Sequence, residues 1–272
     1  LGCFMTPFQS SSARSAAVAI RFDGNYRTWA EAQRASTGYD AQGILERTLA
    51  AVLKVKKGEA AYERDSVVFP EIEYSFPLLA ALLLAAATEK RLSVLDFGGS
   101  LGSSYFQNRH LLRGVADLKW GIVEQAEVVA CGRRHVAEGA LQFFADAEDC
   151  LRQTSPNFVL LSGVLSYVPE PLSLLRQLVS HRPSFICLDR TLVAVRGATR
   201  LTAQFVPSQI YEASYPCWIV KEAELLAPFA DTYRRVYAFD ALGGGVSLQG
   251  LTGAFKGYLF ARADVARTLG VA

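Results

Sequence analysis

The sequence predicts an α/β fold: a mostly parallel sheet of seven strands that ends in an antiparallel hairpin, behind an N-terminal helical cap. Three observations lead there. The chain has 272 residues and is 51% hydrophobic, enough for one large core or a core with a small appendage. From residue 91 onward, short β-rich runs alternate with helical ones, which is how a sheet with crossover helices reads in sequence. The last two β-rich runs break that rule. Only the GGG-containing segment 242–254 separates them and no crossover helix fits there, so they are expected to pair antiparallel.

Residues 1–90 are the expected cap or lid. Its helices are read from YRTWAEAQRAS, from 44–55 and from 78–87. The opening LGCFMTPFQSSSARSA is small and polar, and is expected to be a frayed lead rather than a secretory signal. The most apolar stretch, 76–87, is interrupted by Pro77 and falls short of the ~20 residues of a membrane span, so it is expected to be a buried helix. Residues 91–272 form the second unit, with strands at LSVLDF, LKWGIVE, LQFFA, NFVLLSG, SFICLD, YRRVYAFDA and FKGYLFARA. The segment 191–220 lacks strong periodicity and follows the fifth strand, so it is expected to be an inserted loop on the substrate side.

Charge and cysteine content exclude more than they identify. Lys and Arg number 28 against 26 Asp and Glu, a net +2 spread along the chain, which argues against a nucleic-acid groove. Cys3, Cys131, Cys150, Cys187 and Cys217 show no CxxC or His-paired spacing, so neither a disulfide framework nor zinc is favoured, and a cytoplasmic setting is expected.

The chemistry concentrates in VLDFGGSLGSSYFQNR, which begins at Val94. A strand ending at Phe97 delivers the chain into Gly98, Gly99, Ser100, Leu101 and Gly102, then into a helix; glycines there let the backbone approach a ligand. The GxGxxG register is missing and no P-loop lysine follows. Instead Asp96 precedes the glycines, where a carboxylate repels phosphate and attracts an ammonium or sulfonium. Glu124 ends the second strand, placed to accept both hydroxyls of a ribose, and Asp146 follows the third, placed to accept from an adenine amine or simply to cap its helix. Ser162 and Gly163 end the fourth strand beside them, as cofactor contacts or as tight packing. Three acids at three consecutive strand ends outline a nucleoside carrying an amino-acid tail.

These residues resemble a class I S-adenosylmethionine-dependent methyltransferase with a Rossmann-like core. More narrowly, GYD, YERDSVVF, EYSFPLLA, LDFGGSLGSSYFQNR, WGIVEQ, LDRT and SYPCWIV resemble a bacterial methyltransferase family associated with surface-polysaccharide biosynthesis. The resemblance implies that Asp96, Gly98, Gly99, Ser100 and Gly102 frame the methionine end, Glu124 the ribose and Asp146 the adenine. Gln125 stands where the wider superfamily often has an apolar residue that stacks on adenine, so stacking falls to Ala147 or Val123. The implied cofactor is S-adenosylmethionine, leaving as S-adenosylhomocysteine, and the implied acceptor a hydroxyl on a small molecule or glycan. The alternatives are a catalytically inactive S-adenosylmethionine-binding module and a nucleotide-sugar or NAD-dependent enzyme on a similar sheet.

For catalysis, His110, His135 and His181 fall late in crossover helices, at the end of the sheet away from ligands. Asp189 and Arg190 leave the fifth strand on the ligand side and Tyr167 follows the fourth; Asp189 is the candidate base, Arg190 the group that orients the acceptor or a nearby phosphate, with a structural Asp-Arg pair as the alternative. Tyr211, Tyr215 and Trp218 offer an aromatic wall to a sugar, or ordinary core packing. Glu63, Arg64, Asp65, Glu73, Tyr74 and Ser75 could cover the cofactor as a lid, with Tyr74 and Ser75 as acceptor contacts, or serve as helix caps and surface charge. No motif requires a metal.

Overall fold

The computed structural model describes residues 20–38, 41–206 and 213–271. The amino-terminal part runs β1 (Arg21–Tyr26), α1 (Trp29–Arg34), α2 (Ala41–Lys57), β2 (Tyr62–Arg64), β3 (Val67–Phe69) and α3 (Phe76–Glu89). The alternating part follows as β4 (Leu92–Phe97), α4 (Ser103–Asn108), β5 (Leu118–Val123), α5 (Ala126–His135), β6 (Leu141–Phe144), α6 (Ala147–Thr154), β7 (Phe158–Ser162), α7 (Pro171–Ser180) and β8 (Phe185–Arg196). The chain ends with β9 (Arg200–Val206), β10 (Ala213–Lys221), α8 (Glu222–Leu226), β11 (Tyr233–Leu248), β12 (Leu251–Arg262) and α9 (Ala263–Thr268).

The result is a mixed sheet whose central strands are parallel. Five of them lie in the order β6-β5-β4-β7-β8, β12 pairs antiparallel with β8, and β11 pairs antiparallel with β12. The seven expected strands thus sit inside a larger sheet of ten. Parallel strands covered on both faces read as continuous apolar runs, and β4 and β7 are buried along almost their whole length. Their side chains alternate between two cores. Val94, Phe158 and Leu160 pack with α3 through Leu78, Leu82 and Ala85, while Leu95, Val159 and Leu161 pack with α7 through Leu175 and Leu178. Strand order reverses beside β4, so the connections from β4 and β7 leave in opposite directions and open a crevice at their carboxyl ends.

Three expectations need correction. Residues 1–90 are not a purely helical cap: β1 joins the main sheet by pairing antiparallel with β9, β2 and β3 form a hairpin, and Val52 of α2 and Leu78 of α3 share the core of β4. The hairpin turns on Asp65 and Ser66, at φ +51° and +69°, the pair of positive φ values a two-residue turn needs. The stretch 191–220 is not a plain loop. Strand β8 runs on to Arg196, β9 and β10 pair antiparallel, and β10 returns beside the end of β8. These strands hid because β9 and β10 are covered on both faces and show no polar alternation. Finally, the GGG segment lies within β11, which shifts register between Asp240 and Gly245 and turns only after Leu248. Among the described residues, no helix is long and apolar enough to cross a membrane.

Candidate functional site

The glycine turn is built by contacts that leave no space for a side chain. Gly98, at φ +71°, lies against the end of β7, and a Cβ there would fall 2.4 Å from Val164 Cγ2. A Cβ on Gly99 would fall 2.6 Å from the Asp96 carboxyl. Asp96 is 1% exposed and accepts a hydrogen bond from Trp120 Nε1 at 3.0 Å. Burial raises its pKa to about 7, opposed in part by the indole bond. Asp96 therefore packs against the turn at Gly99 while its Oδ2 is held by Trp120. Ser100 continues the turn at φ +53°, Leu101 is buried, and Gly102 caps α4.

Glu124, just past β5, holds the turn from the other side. Its Oε1 accepts from the Ser100 amide at 3.1 Å and its Oε2 from the Gln125 amide at 2.9 Å. Burial raises its pKa and the two amide bonds oppose that rise. A carboxylate has about four lone-pair sites, so each oxygen keeps room for a further donor such as a sugar hydroxyl. Gln125 is exposed and caps α5. Asp146 is exposed too; its Oδ1 accepts from the Asp149 amide at 2.8 Å as the cap of α6, with Ala147 half-buried beside it.

Across the crevice lies a narrow cleft of different character. The sheet contributes Ser162, Asp189 and Arg190, α4 contributes Ser103, Ser104 and Gln107, and the hairpin contributes Tyr62 and Arg64; Ser75 and Leu242 complete it. Parallel pairing puts Ser162 directly beside Asp189. Ser162 Oγ donates to Asp189 Oδ2 at 2.8 Å and accepts from Arg190 Nε at 3.3 Å. Asp189 is 3% exposed, and its Oδ1 is buried with no hydrogen-bond partner. Burial raises its pKa, with the Ser162 bond and the Arg190 charge acting against it. Gly163, also at the cleft, would bring a Cβ to 3.4 Å from Arg190 Nη2. Behind the hairpin, Glu63 is 1% exposed and accepts from Ser103 Oγ, while its Oε2 has no partner. Burial pushes its pKa up to about 7.

Other candidates lie apart. Tyr167 Oη donates to Gln204 Oε1 at 2.8 Å, Gln204 Nε2 donates to Tyr215 Oη at 3.1 Å, and the two rings meet edge to face. That network does not line the cleft with Asp189. Tyr74 packs against Phe76, and Trp218 donates to the Pro169 carbonyl. Tyr211 lies outside the described residues. None of the histidines lines the cleft: His110 contacts Arg113, His135 ends α5, and His181 faces Glu148. A wider hollow of about 390 Å³ runs between Arg109, Arg113 and Leu118, but it opens at the amino end of β5, the wrong side of the sheet for this chemistry. Among the described residues, no three His, Cys, Asp or Glu side chains converge as a metal site would require.

Sequence reasoning missed Tyr62, Ser103, Ser104, Gln107 and Leu242 as cleft residues. A signal existed for two of them: Ser103 and Gln107 are four apart on a helix leaving the glycine turn, so they share a face.

No protein-family model matches the chain, and no curated protein does. Solved structures similar to it include methyltransferases that use S-adenosylmethionine. One neighbour is the N-terminal domain of EvdMO1 in the presence of SAH and D-fucose, at 14% identity over 83% of this chain and 97% of that one, TM-score 0.46. Another is SAM-bound CalS10, an amino pentose methyltransferase from Micromonospora echinaspora, at 11% identity over 70% and 92%, TM-score 0.41. A third is the Burkholderia thailandensis 1,6-didemethyltoxoflavin-N1-methyltransferase, at 16% identity over 92% and 98%, TM-score 0.39. Likeness this distant leaves the chain's activity to be read from its own cleft.

Proposed function

We propose that this protein is an S-adenosylmethionine-dependent methyltransferase directed at a hydroxyl of a small-molecule or glycan acceptor. The observation that carries the reading is Glu124: a carboxylate at the end of β5, tied to the glycine turn through the Ser100 amide and retaining acceptor capacity on both oxygens. A carboxylate so placed accepts ribose hydroxyls, and the missing GxGxxG register at the turn disfavours a pyrophosphate. Asp146, Ala147 and Gln125 rim the adenine side. When bound, S-adenosylmethionine supplies an electrophilic methyl group on a sulfonium.

The residues of the cleft then have two tasks. Ser162, Ser103 and Gln107 line the space in which an acceptor is aligned, since in-line transfer depends first on orientation. Asp189 takes the hydroxyl proton on Oδ1, the oxygen left without a partner, while Ser162 holds Oδ2. The raised pKa of Asp189 makes it a better proton acceptor than an exposed aspartate. Arg190 orients the acceptor from the same strand, and Tyr167 is held outside the cleft by Gln204. Surface-glycan intermediates are the acceptors to screen first, with a labelled methyl donor. Label in a base-stable ether on a hydroxyl supports the reading; tight cofactor binding with no transfer to any acceptor favours a binding module instead.

A further inference from the structure

Arg190, in the cleft, faces two carboxylates, both at long range. Its backbone sits at φ +47°, a left-handed conformation that bulky residues rarely adopt and that concentrates at functional sites. Its Nε donates to Ser162 Oγ at 3.3 Å, yet the nearest carboxylate oxygens, Asp65 Oδ2 and Asp189 Oδ2, stand at 3.9 and 4.0 Å, beyond hydrogen-bond reach. Among the described residues neither Nη1 nor Nη2 makes a hydrogen bond. Gly163 lies beside the guanidinium, where a Cβ would stand 3.4 Å from Nη2. Arg64 brings a second guanidinium to the same cleft from the hairpin, although Glu73 pairs with it at 3.0 Å.

We propose that the Nη1 and Nη2 fork of Arg190 receives an oxyanionic group, a carboxylate or a phosphate, inside this cleft. A guanidinium presents parallel N–H donors that match two oxygens of such a group, and no neutral hydroxyl uses that geometry as fully. The Ser104 hydroxyl on the α4 wall is a further donor for the same group, whereas Ser103 Oγ is already committed to Glu63. Two sources share this chemistry: the amino-acid carboxylate of the cofactor, and an acidic acceptor such as a phosphorylated or uronic-acid sugar. The inference rests on the methyltransferase reading for the identity of the ligand, not for the existence of the site.

The test compares wild type with Arg190→Lys, which keeps the charge and loses the fork, using S-adenosylhomocysteine, 5′-methylthioadenosine and inorganic phosphate as probes. Methylthioadenosine keeps the nucleoside and lacks the carboxylate. If the cofactor is the source, the variant loses about 10- to 100-fold in S-adenosylhomocysteine affinity, the span of a charged hydrogen bond, and nothing in methylthioadenosine affinity. If the acceptor is the source, S-adenosylhomocysteine binding is unchanged. Phosphate then raises the melting temperature of the S-adenosylhomocysteine-saturated wild type and not of the variant. Equal weakening of both nucleosides, or no change with any probe, overturns the proposal. Wild type that binds neither nucleoside refutes the methyltransferase reading, and the phosphate comparison still decides Arg190. Should Arg190→Lys melt far below wild type, phosphate competition against S-adenosylhomocysteine, but not methylthioadenosine, on wild type replaces the variant; its absence counts against the cofactor carboxylate.

Discussion

Along the carboxyl ends of β5 and β6, the acids Glu124 and Asp146 are exposed or half-buried, and backbone amides meet their oxygens. At the ends of β7 and β8 the acid is Asp189, buried, with one oxygen unpartnered and a strained arginine beside it. On the first rim each Glu124 oxygen already has an amide partner and keeps room for a ligand hydroxyl, so little reorganisation is needed to hold a ligand. The second stores unmet hydrogen-bonding capacity where water is scarce, and unmet capacity in a cleft is a reservoir for chemistry rather than for stability. On the proposed reading, one end of the sheet divides into a side that binds and a side that reacts.

That division is most exposed at Asp189. Asp189→Asn keeps the shape and removes the basicity, so turnover should fall by about 10² to 10⁴ while cofactor affinity stays near wild type. Loss of melting temperature together with affinity would mark Asp189 as structural, because removing its charge leaves Arg190, among the described residues, only the exposed Asp65, 3.9 Å away, as an ionic partner. On the binding side, Gly98→Ala would drive a methyl group into Val164 at a positive φ, and should cost about 1 to 3 kcal/mol of stability by thermal melting. Glu124→Ala should weaken cofactor binding by about 1 to 3 kcal/mol in a calorimetric titration without lowering turnover at saturation. The smallest effect belongs to Asp146. Its replacement by Ala should cost about 1 kcal/mol of stability as a lost helix cap; an equal loss of cofactor affinity would add an adenine contact to that role.

Glu63 sharpens the contrast through pH. Its folded pKa, about 7, lies above its ordinary 4.5, so the stability it contributes is fully present at acid pH and is lost as pH rises through about 7. Glu63→Gln should therefore gain melting temperature over wild type at about pH 8 and not at about pH 4. Equal differences at both pH values would mean that Glu63 is not desolvated as its burial implies.

The two sides also differed in how far they could be read from sequence. Strand ends, the glycine turn, Glu124 and the Asp189–Arg190 pair were legible because each lies next to an apolar run whose direction the βα alternation fixes. Ser162 and Asp189 required only the expected parallel neighbours to meet. The cleft's other wall was not legible, since Tyr62 and Arg64 reach it through a hairpin far away in sequence, and Leu242 through an irregular stretch of β11. The Trp120 bond of Asp96 was not legible for a related reason: position next to a glycine turn does not say which neighbouring strand's side chain meets the carboxyl.

The most direct test of the division is a calorimetric titration of the wild-type chain with S-adenosylmethionine, S-adenosylhomocysteine and NAD, paired with thermal melts of each mixture. S-adenosylmethionine and S-adenosylhomocysteine should bind and raise the melting temperature, because a ligand that binds only the native state stabilises it by mass action, and Glu124→Ala should blunt both effects. NAD should do neither. Absence of S-adenosylmethionine binding at millimolar concentration, or NAD binding that equals it, would contradict the assignment of the β4 and β5 strand ends to a sulfonium nucleoside.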